Sequence, residues 1–446
     1  MKIGFVSLGC SKNLVDTEVM LGLLRDKGWE IVEENEEADI IVVNTCTFIE
    51  KAKEESIQAI LEMAKLKETG KCRALIVAGC LSQQYQQELF KEIPEIDALL
   101  GTGSWNRILE AADAVLAGER VCFMDEMKNI YDDTQPRIRT TPKYSAYIKI
   151  ADGCINGCTF CIIPKIRGKF RSRPIESIVA EVKQLAAEGV KEFNLIAQDT
   201  TSYGVDLSGG KGSLLPQLLR ELVKIEGVVW IRLLYLYPTY FTDELLDLIV
   251  HEEKICSYVD LPLQHISDPV LKRMNRRDTK ADIYALLKKI KEKSPSMVLR
   301  TTFIVGFPGE TDEQFRELCE FVKEMRFDNA GVFTYSQEEG TAAALMPDQI
   351  PEEVKEERYH ELMSIQAKIS EEKNQDLEGT EHIALIEEVA EENGVYLSTA
   401  RIATQAPDVD CVTYIEGGAG LEPGDMVPVT ISQGFAYELV ADIKES

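Results

Sequence analysis

The chain has 446 residues, 45% apolar and 28% charged, which leaves room for two or three globular domains and excludes a disordered or fibrous chain. Its formal net charge of −27 gives a surface that repels phosphate backbones and favours basic partners. There is no run of about 18 apolar residues to span a membrane, and residues 3–8 are too short for a secretory core, so a cytoplasmic protein is expected.

Residues 2–8 read as a first strand and 16–27 as a helix, with Val19, Met20, Leu23 and Leu24 at helical spacing and Gly28 as the stop. Residues 38–44 carry Ile40-Ile41-Val42-Val43, the continuous apolar run of a buried parallel strand. A helix over 49–66, a strand over 73–78 and a helix near 84–91 follow. This order predicts a doubly wound parallel sheet with helices on both faces, over residues 1–126. Residues 127–143 break the pattern with Asp132-Asp133, Pro136 and Pro142 and read as a linker. Alternation then resumes, with strands near 146–150, 191–197, 228–236, 257–263, 298–305 and 330–335. Six β-α units predict a partial (β/α)6 barrel over 144–375, with functional groups at the C-terminal ends of its strands. A charged helix over 352–378 leads to short strands at 383–389, 395–398, 426–432 and 437–442, with Pro423-Gly424-Asp425 as a turn. These predict a small five-stranded OB-like barrel over 376–446. The fold class is therefore α/β, in three domains.

Eleven cysteines in such a chain point to metal binding or catalysis rather than a disulfide framework. Cys154, Cys158 and Cys161 form C-x3-C-x2-C just past the first strand of the barrel series. Three close thiolates can hold three irons of a 4Fe-4S cube, and with no fourth cysteine nearby the last iron is open to a small molecule. Cys10, Cys46 and Cys80 each follow a predicted strand of the first domain. Neighbouring C-terminal strand ends in a parallel sheet would bring these thiols together, as a second three-ligand cluster needs. Spacing alone reads equally well as coincidence. Glycines before Cys10 and Cys80 permit close backbone approach. Cys72, Cys122, Cys256, Cys319 and Cys411 have no spacing partner and read as small buried hydrophobes.

The cysteine loop, with Phe160 before its last thiol, resembles the signature of radical S-adenosylmethionine enzymes. The whole chain resembles their methylthiotransferase family: an N-terminal three-cysteine domain, a radical SAM domain and a C-terminal TRAM domain. Leu8-Gly9-Cys10-Ser11-Lys12-Asn13, Tyr335-Ser336-Gln337-Glu338-Glu339-Gly340-Thr341 and Gln405-Ala406-Pro407-Asp408 are similar to the branch that modifies a ribosomal protein rather than transfer RNA. The resemblance implies that Cys154, Cys158 and Cys161 bind the radical cluster and Cys10, Cys46 and Cys80 an auxiliary one. It implies two 4Fe-4S clusters, S-adenosylmethionine and a reducing electron donor. The implied reaction is methylthio insertion at the β-carbon of an aspartate in the twelfth small-subunit ribosomal protein. That C–H is barely acidic, so no side-chain base activates it, and radical chemistry belongs to a cofactor. No catalytic triad is expected.

Phe160 reads as an adenine contact or a core aromatic, and Val305-Gly306-Phe307-Pro308-Gly309-Glu310 as an adenosine-site lining or a plain turn. Gln198, Asp199 and Tyr203 follow a barrel strand and are expected to face the site. His265 reads as structural, and Gly209-Gly210-Lys211-Gly212 as a surface loop lacking P-loop spacing. Residues 376–446 carry 15 Asp or Glu against Arg401 and Lys444, a net of −13. That charge suits a basic ribosomal protein, and no direct tRNA binding is expected. A transfer-RNA methylthiotransferase and a non-catalytic iron–sulfur carrier are the alternative readings.

Overall fold

The computed structural model describes residues 1–392 and 395–444. Strands β1 (Lys2–Ser7), β2 (Glu30–Ile31), β3 (Ile40–Thr45), β4 (Ala74–Gly79), β5 (Ala98–Leu100) and β6 (Val121–Phe123) form one parallel sheet in the order β2-β1-β3-β4-β5-β6. Side-chain alternation sorts its two faces. Ile40, Val42 and Ile76 pack with Val15, Val19 and Met20 of the helix Ser11–Asp26. Ile41, Val43 and Val77 pack with Ile60 of the helix Glu50–Thr69 and Leu81 of the helix Cys80–Glu92. The sheet is thus doubly wound. Strands β2, β5 and β6 are absent from the sequence reading because two or three residues are too few to show a period.

The helix Ser11–Asp26 begins five residues before its predicted start. Lys12, Asn13, Asp16 and Glu18 are buried along with its apolar residues. Both faces are covered, one by the sheet and the other by the second domain, so apolar periodicity does not mark where the helix starts.

The second domain contains β7 (Ser145–Lys149), a short hairpin of β8 (Ala151–Asp152) and β9 (Arg171–Ser172), then β10 (Glu192–Ile196), β11 (Trp230–Leu233), β12 (Tyr258–Asp260), β13 (Val298–Val305) and β14 (Asn329–Thr334). Two parallel triplets, β11-β10-β7 and β12-β13-β14, are joined by the isolated parallel bridge Ile231–Ile255, giving an open partial barrel. Ala146, Ile148, Phe193, Leu195 and Val259 pack under the helices. Tyr147, Ile196, Trp230, Leu234 and Tyr258 point the other way. They share a core with the helix Ser11–Asp26 and with Leu385 and Ala406 of the third domain. The inner face is covered by the neighbouring domains rather than by further strands.

The third domain is a closed barrel, ordered β15-β16-β17-β19-β18, of β15 (Glu381–Glu392), β16 (Val395–Ile402), β17 (Val412–Glu416), β18 (Met426–Gly434) and β19 (Glu438–Ile443). Ala384, Ile386, Ala400, Ile402, Ile415, Val429 and Ile431 fill it at alternate positions. It docks through charge. Arg401 Nη2 lies 2.7 Å from Glu192 Oε2 at the start of β10, and Arg232 Nη2 lies 3.2 Å from Glu192 Oε1. Tyr147 donates to Asp408 at 2.7 Å and Tyr258 to Asp410 at 2.6 Å. These contacts revise the meaning of the −13 count: Asp408 and Asp410 hold tyrosines of the second domain and Glu387 pairs with Arg401 of its own barrel, while Glu391, Glu416, Glu422, Glu438 and Asp442 are exposed without such roles.

Residues 127–143 lie packed between the first two domains, with Arg137 pairing with Glu18 at 2.5 Å and Glu181 at 2.7 Å. The helix Glu352–Gln375 buries Leu362 and Ile369 on the second domain, and Asn374 donates to Phe435 O at 2.6 Å. Among the described residues no helix is long and apolar enough to cross a membrane.

Candidate functional site

Cys10 follows β1, Cys46 follows β3 and Cys80 follows β4, three strands adjacent in the sheet. The chain leaves β1 for β2 on one side and continues through β3 on the other. That reversal of strand order opens a crevice at the C-terminal strand ends, where Cys10 and Cys46 sit. Buried amides stitch the rim. Asn13 donates to Thr45 O at 2.8 Å and Leu8 O at 3.1 Å, and Asn44 donates to Asn13 O at 2.9 Å. Ser56 holds the Cys46 loop, donating to Cys46 O at 2.9 Å and accepting from Cys46 N at 3.0 Å. The two glycines act as the sequence suggests. Gly9 has φ +87°, and a Cβ there would meet Cys46 Cβ at 2.6 Å and Sγ at 3.0 Å. Gly79 has φ +93°, and a Cβ there would meet Thr45 O at 2.7 Å.

The loop Cys154–Cys161 is pinned by backbone and side-chain bonds. Cys154 N donates to Gly168 O at 3.3 Å, Thr159 N to Met274 O at 3.0 Å and Cys161 N to Cys158 O at 3.1 Å. Asn275 donates to Gly157 O at 2.7 Å, and Asn156 to Asp199 at 2.7 Å. Asp199 also accepts from Ser202 Oγ at 2.7 Å, so it is an anchor for this loop. Gln198 donates to Asp152 at 3.0 Å. Tyr203 departs from expectation: it is buried in the helix-side core and its hydroxyl donates to Arg173 O at 2.7 Å. The short turn Thr200–Ser202 carries the chain back under the helices before Tyr203.

The two cysteine sets face one joint. Cys80 packs with Ile162 and Ile166, directly after Cys161. The helix Ile163–Ile166 ends at Arg167, whose Nη1 lies 2.6 Å from Asp16 and 3.3 Å from Asp152, and whose Nη2 bonds Asn13 and reaches Cys80 Sγ at 3.8 Å. Lys149 bonds Asp16 from the same side. Lys12 Nζ stands 3.2 Å from the ring centroid of Tyr235. Tyr235 (φ +61°) and Gln264 (φ +73°) hold left-handed backbone just past β11 and β12, a strain that gathers at functional rims.

Electrostatics separate the thiols. Burial pushes Cys80 and Cys161 up to about 12 and Cys154 to about 11, and it also raises Cys46. Cys10 keeps an exposed face, and against the effect of burial Lys12 and Arg167 draw its thiol down. Among the described residues no three His, Cys, Asp or Glu side chains converge on a single-ion geometry. The thiolates of an iron–sulfur cube sit on separate irons and span a wider gap. Arg167 and Lys12 stand beside the first-domain thiols, which suits an anionic cluster there, because thiolates need positive charge when removed from water.

Phe160 packs edge-on against Phe307 at 6.4 Å, and Phe307 against Tyr335 at 5.3 Å. Glu310 accepts from Gly306 N and Phe307 N, closing the turn after β13. His265 is buried and its Nδ1 accepts from Ser267 N at 3.0 Å, a structural role. Gly209-Gly210-Lys211-Gly212 is a surface loop. Sequence reasoning missed Asn13, Asp152, Arg167 and Tyr235. Their place after strand ends or beside a cysteine was visible, but their convergence was not.

Three family models match: Uncharacterized protein family UPF0004 over residues 2–101, Radical SAM superfamily over 148–322 and TRAM domain over 379–443. The chain is 51% identical over 445 residues to ribosomal protein uS12 methylthiotransferase RimO of Pelobacter propionicus, covering 100% of this chain and 98% of that one. It is 50% identical to the protein of the same name from Geobacter sulfurreducens, covering 99% and 98%. The Clostridioides difficile counterpart is 48% identical, covering 99% of each. In fold it is similar to the radical S-adenosylmethionine methyltransferase TsrM of Kitasatospora setae, solved with cobalamin and a 4Fe-4S cluster bound (TM-score 0.55, 15% identity, 75% of this chain and 74% of that one).

Proposed function

The chain belongs to the family of ribosomal protein uS12 methylthiotransferases, radical SAM transferases, and from that premise we propose how its own residues divide the work. Cys154, Cys158 and Cys161 would hold the cluster that binds S-adenosylmethionine, and Cys10, Cys46 and Cys80 would hold a second one at the sheet switch point. When bound, such clusters supply one-electron reduction of the sulfonium and an open iron to present sulfur. The single observation that supports this division is the packing of Cys80 on Ile162 and Ile166, which brings one thiol of the first-domain set beside the segment that follows Cys161.

The protein's part is positioning and charge. Asp199 fixes the radical loop through Asn156. Phe160 and Phe307 wall the space beside the last thiol, and Glu310 holds the turn that carries Phe307. Arg167 spans the joint, balancing Asp16 and Asp152 while its Nη2 faces Cys80. No side-chain base is required, since the substrate C–H is not acidic.

The proposed substrate position is the β-carbon of an aspartate of uS12, a basic protein that the −27 surface attracts. The test incubates reconstituted enzyme with reductant, S-adenosylmethionine and either uS12 or tRNA. A methylthio mass gain on uS12 is expected. A gain on tRNA alone overturns the reading.

A further inference from the structure

We propose that the groove beside the open edge of the second domain seats a basic, extended segment of the substrate protein, an inference that rests on the substrate class proposed above. Strand β14 ends the order β12-β13-β14, so the partial barrel is open on this side. A groove of about 760 Å3 lies at the opening. One wall is the start of the helix Glu50–Thr69, with Glu50 and Glu54, and the other is the start of the helix Glu352–Gln375, with Glu352 and Glu356. Each pair is four residues apart and shares a helix face. All four carboxylates are on exposed residues.

The floor is aromatic. Phe333 is 51% exposed, a large ring left in solvent, and Tyr335 is buried. Two lysines also line the groove. Lys355 is buried and turned onto Tyr335 O at 3.0 Å and Glu352 at 2.9 Å, which leaves Lys51 as the exposed cation of the lining. Acidic walls over an aromatic floor fit Lys and Arg side chains, whose charged heads meet carboxylates while their stems lie on the rings. A phosphate backbone would be repelled from the same walls.

The groove leads to the joint between the triads. Glu50 lies four residues after Cys46 in sequence, and Tyr335 packs edge-on against Phe307, which packs edge-on against Phe160. A chain lying in the groove therefore delivers its next residues toward Cys161.

The test uses the full-length reconstituted enzyme carrying Glu54→Gln with Glu356→Gln, two exposed positions away from the cysteines. KM for uS12 is expected to rise ~5-fold, with kcat and substrate-free cleavage of S-adenosylmethionine unchanged and the difference shrinking at high salt. An unchanged KM in an enzyme that modifies uS12 overturns the groove. A second measurement needs no turnover: a benzophenone side chain replaces Phe333 and is irradiated with a Lys/Arg-rich uS12 peptide or with tRNA. Labelling of the peptide is expected. Labelled peptide with an enzyme inactive on uS12 would uphold the groove and remove the reaction assigned above. No labelling, or labelling of tRNA instead, overturns the groove.

Discussion

Arg167 reaches from the end of the radical-loop helix to within 3.8 Å of Cys80 Sγ in the first domain. One buried guanidinium thus runs from the segment that follows Cys161 to a thiol of the first domain. It also lies 2.6 Å from Asp16, on the helix that follows Cys10.

Replacing Arg167 leaves Asp16 and Asp152 with less buried positive charge. Arg167→Leu is expected to lower unfolding stability by about 3–5 kcal/mol, the usual cost of stranding one member of a buried pair. Adding Asp16→Asn in that background should restore part of the loss. Urea denaturation of the two variants measures it, and no difference between them would sever the pairing from stability.

The triads are expected to separate by substitution. Cys10→Ala, Cys46→Ala and Cys80→Ala together should halve the bound iron and leave reductive cleavage of S-adenosylmethionine in place. Cys154→Ala, Cys158→Ala and Cys161→Ala should abolish that cleavage. Iron analysis and 5′-deoxyadenosine release read both outcomes. Loss of cleavage in the first variant, with the protein folded, would count against the division.

Gly9→Ala strains a left-handed residue by about 1–3 kcal/mol and drives a methyl group into Cys46. The expected phenotype is loss of the iron held by the first domain, with S-adenosylmethionine cleavage retained. Full iron content in a folded Gly9→Ala protein would show that Cys46 does not need its present place.

Glu192 anchors the third domain. Burial works against its charge, but Arg401 and Arg232 hold its carboxyl down at about 2. A carboxylate with a depressed folded pKa adds stability that is present above its ordinary value near 4.5 and lost as pH falls toward 2. The shift corresponds to about 3 kcal/mol. Wild-type protein should lose that increment between pH 5 and pH 2, and Glu192→Gln should lose less over the same window. Parallel slopes of stability against pH would refute the linkage.

Much of the fold was legible because period and length carry it. Ile40-Ile41-Val42-Val43 marks a strand covered on both faces, and six β-α units mark an open barrel. What failed was short or doubly buried: β2, β5 and β6 are too brief for a period, and the helix Ser11–Asp26 hides its start among buried polar residues. Tyr203 follows a barrel strand, as site residues do, but a three-residue turn returns it to the core.

The sequence alone determined the six cysteines, their places after strands and the glycines that let two of them approach, since these follow from local pattern and backbone freedom. The tertiary structure decided that Cys80 meets Ile162, that Arg167 reaches Cys80 and that Asp408 and Asp410 bond tyrosines of the second domain. Those facts depend on how separate domains dock, through contacts between residues up to 261 positions apart, and no local period encodes such distances.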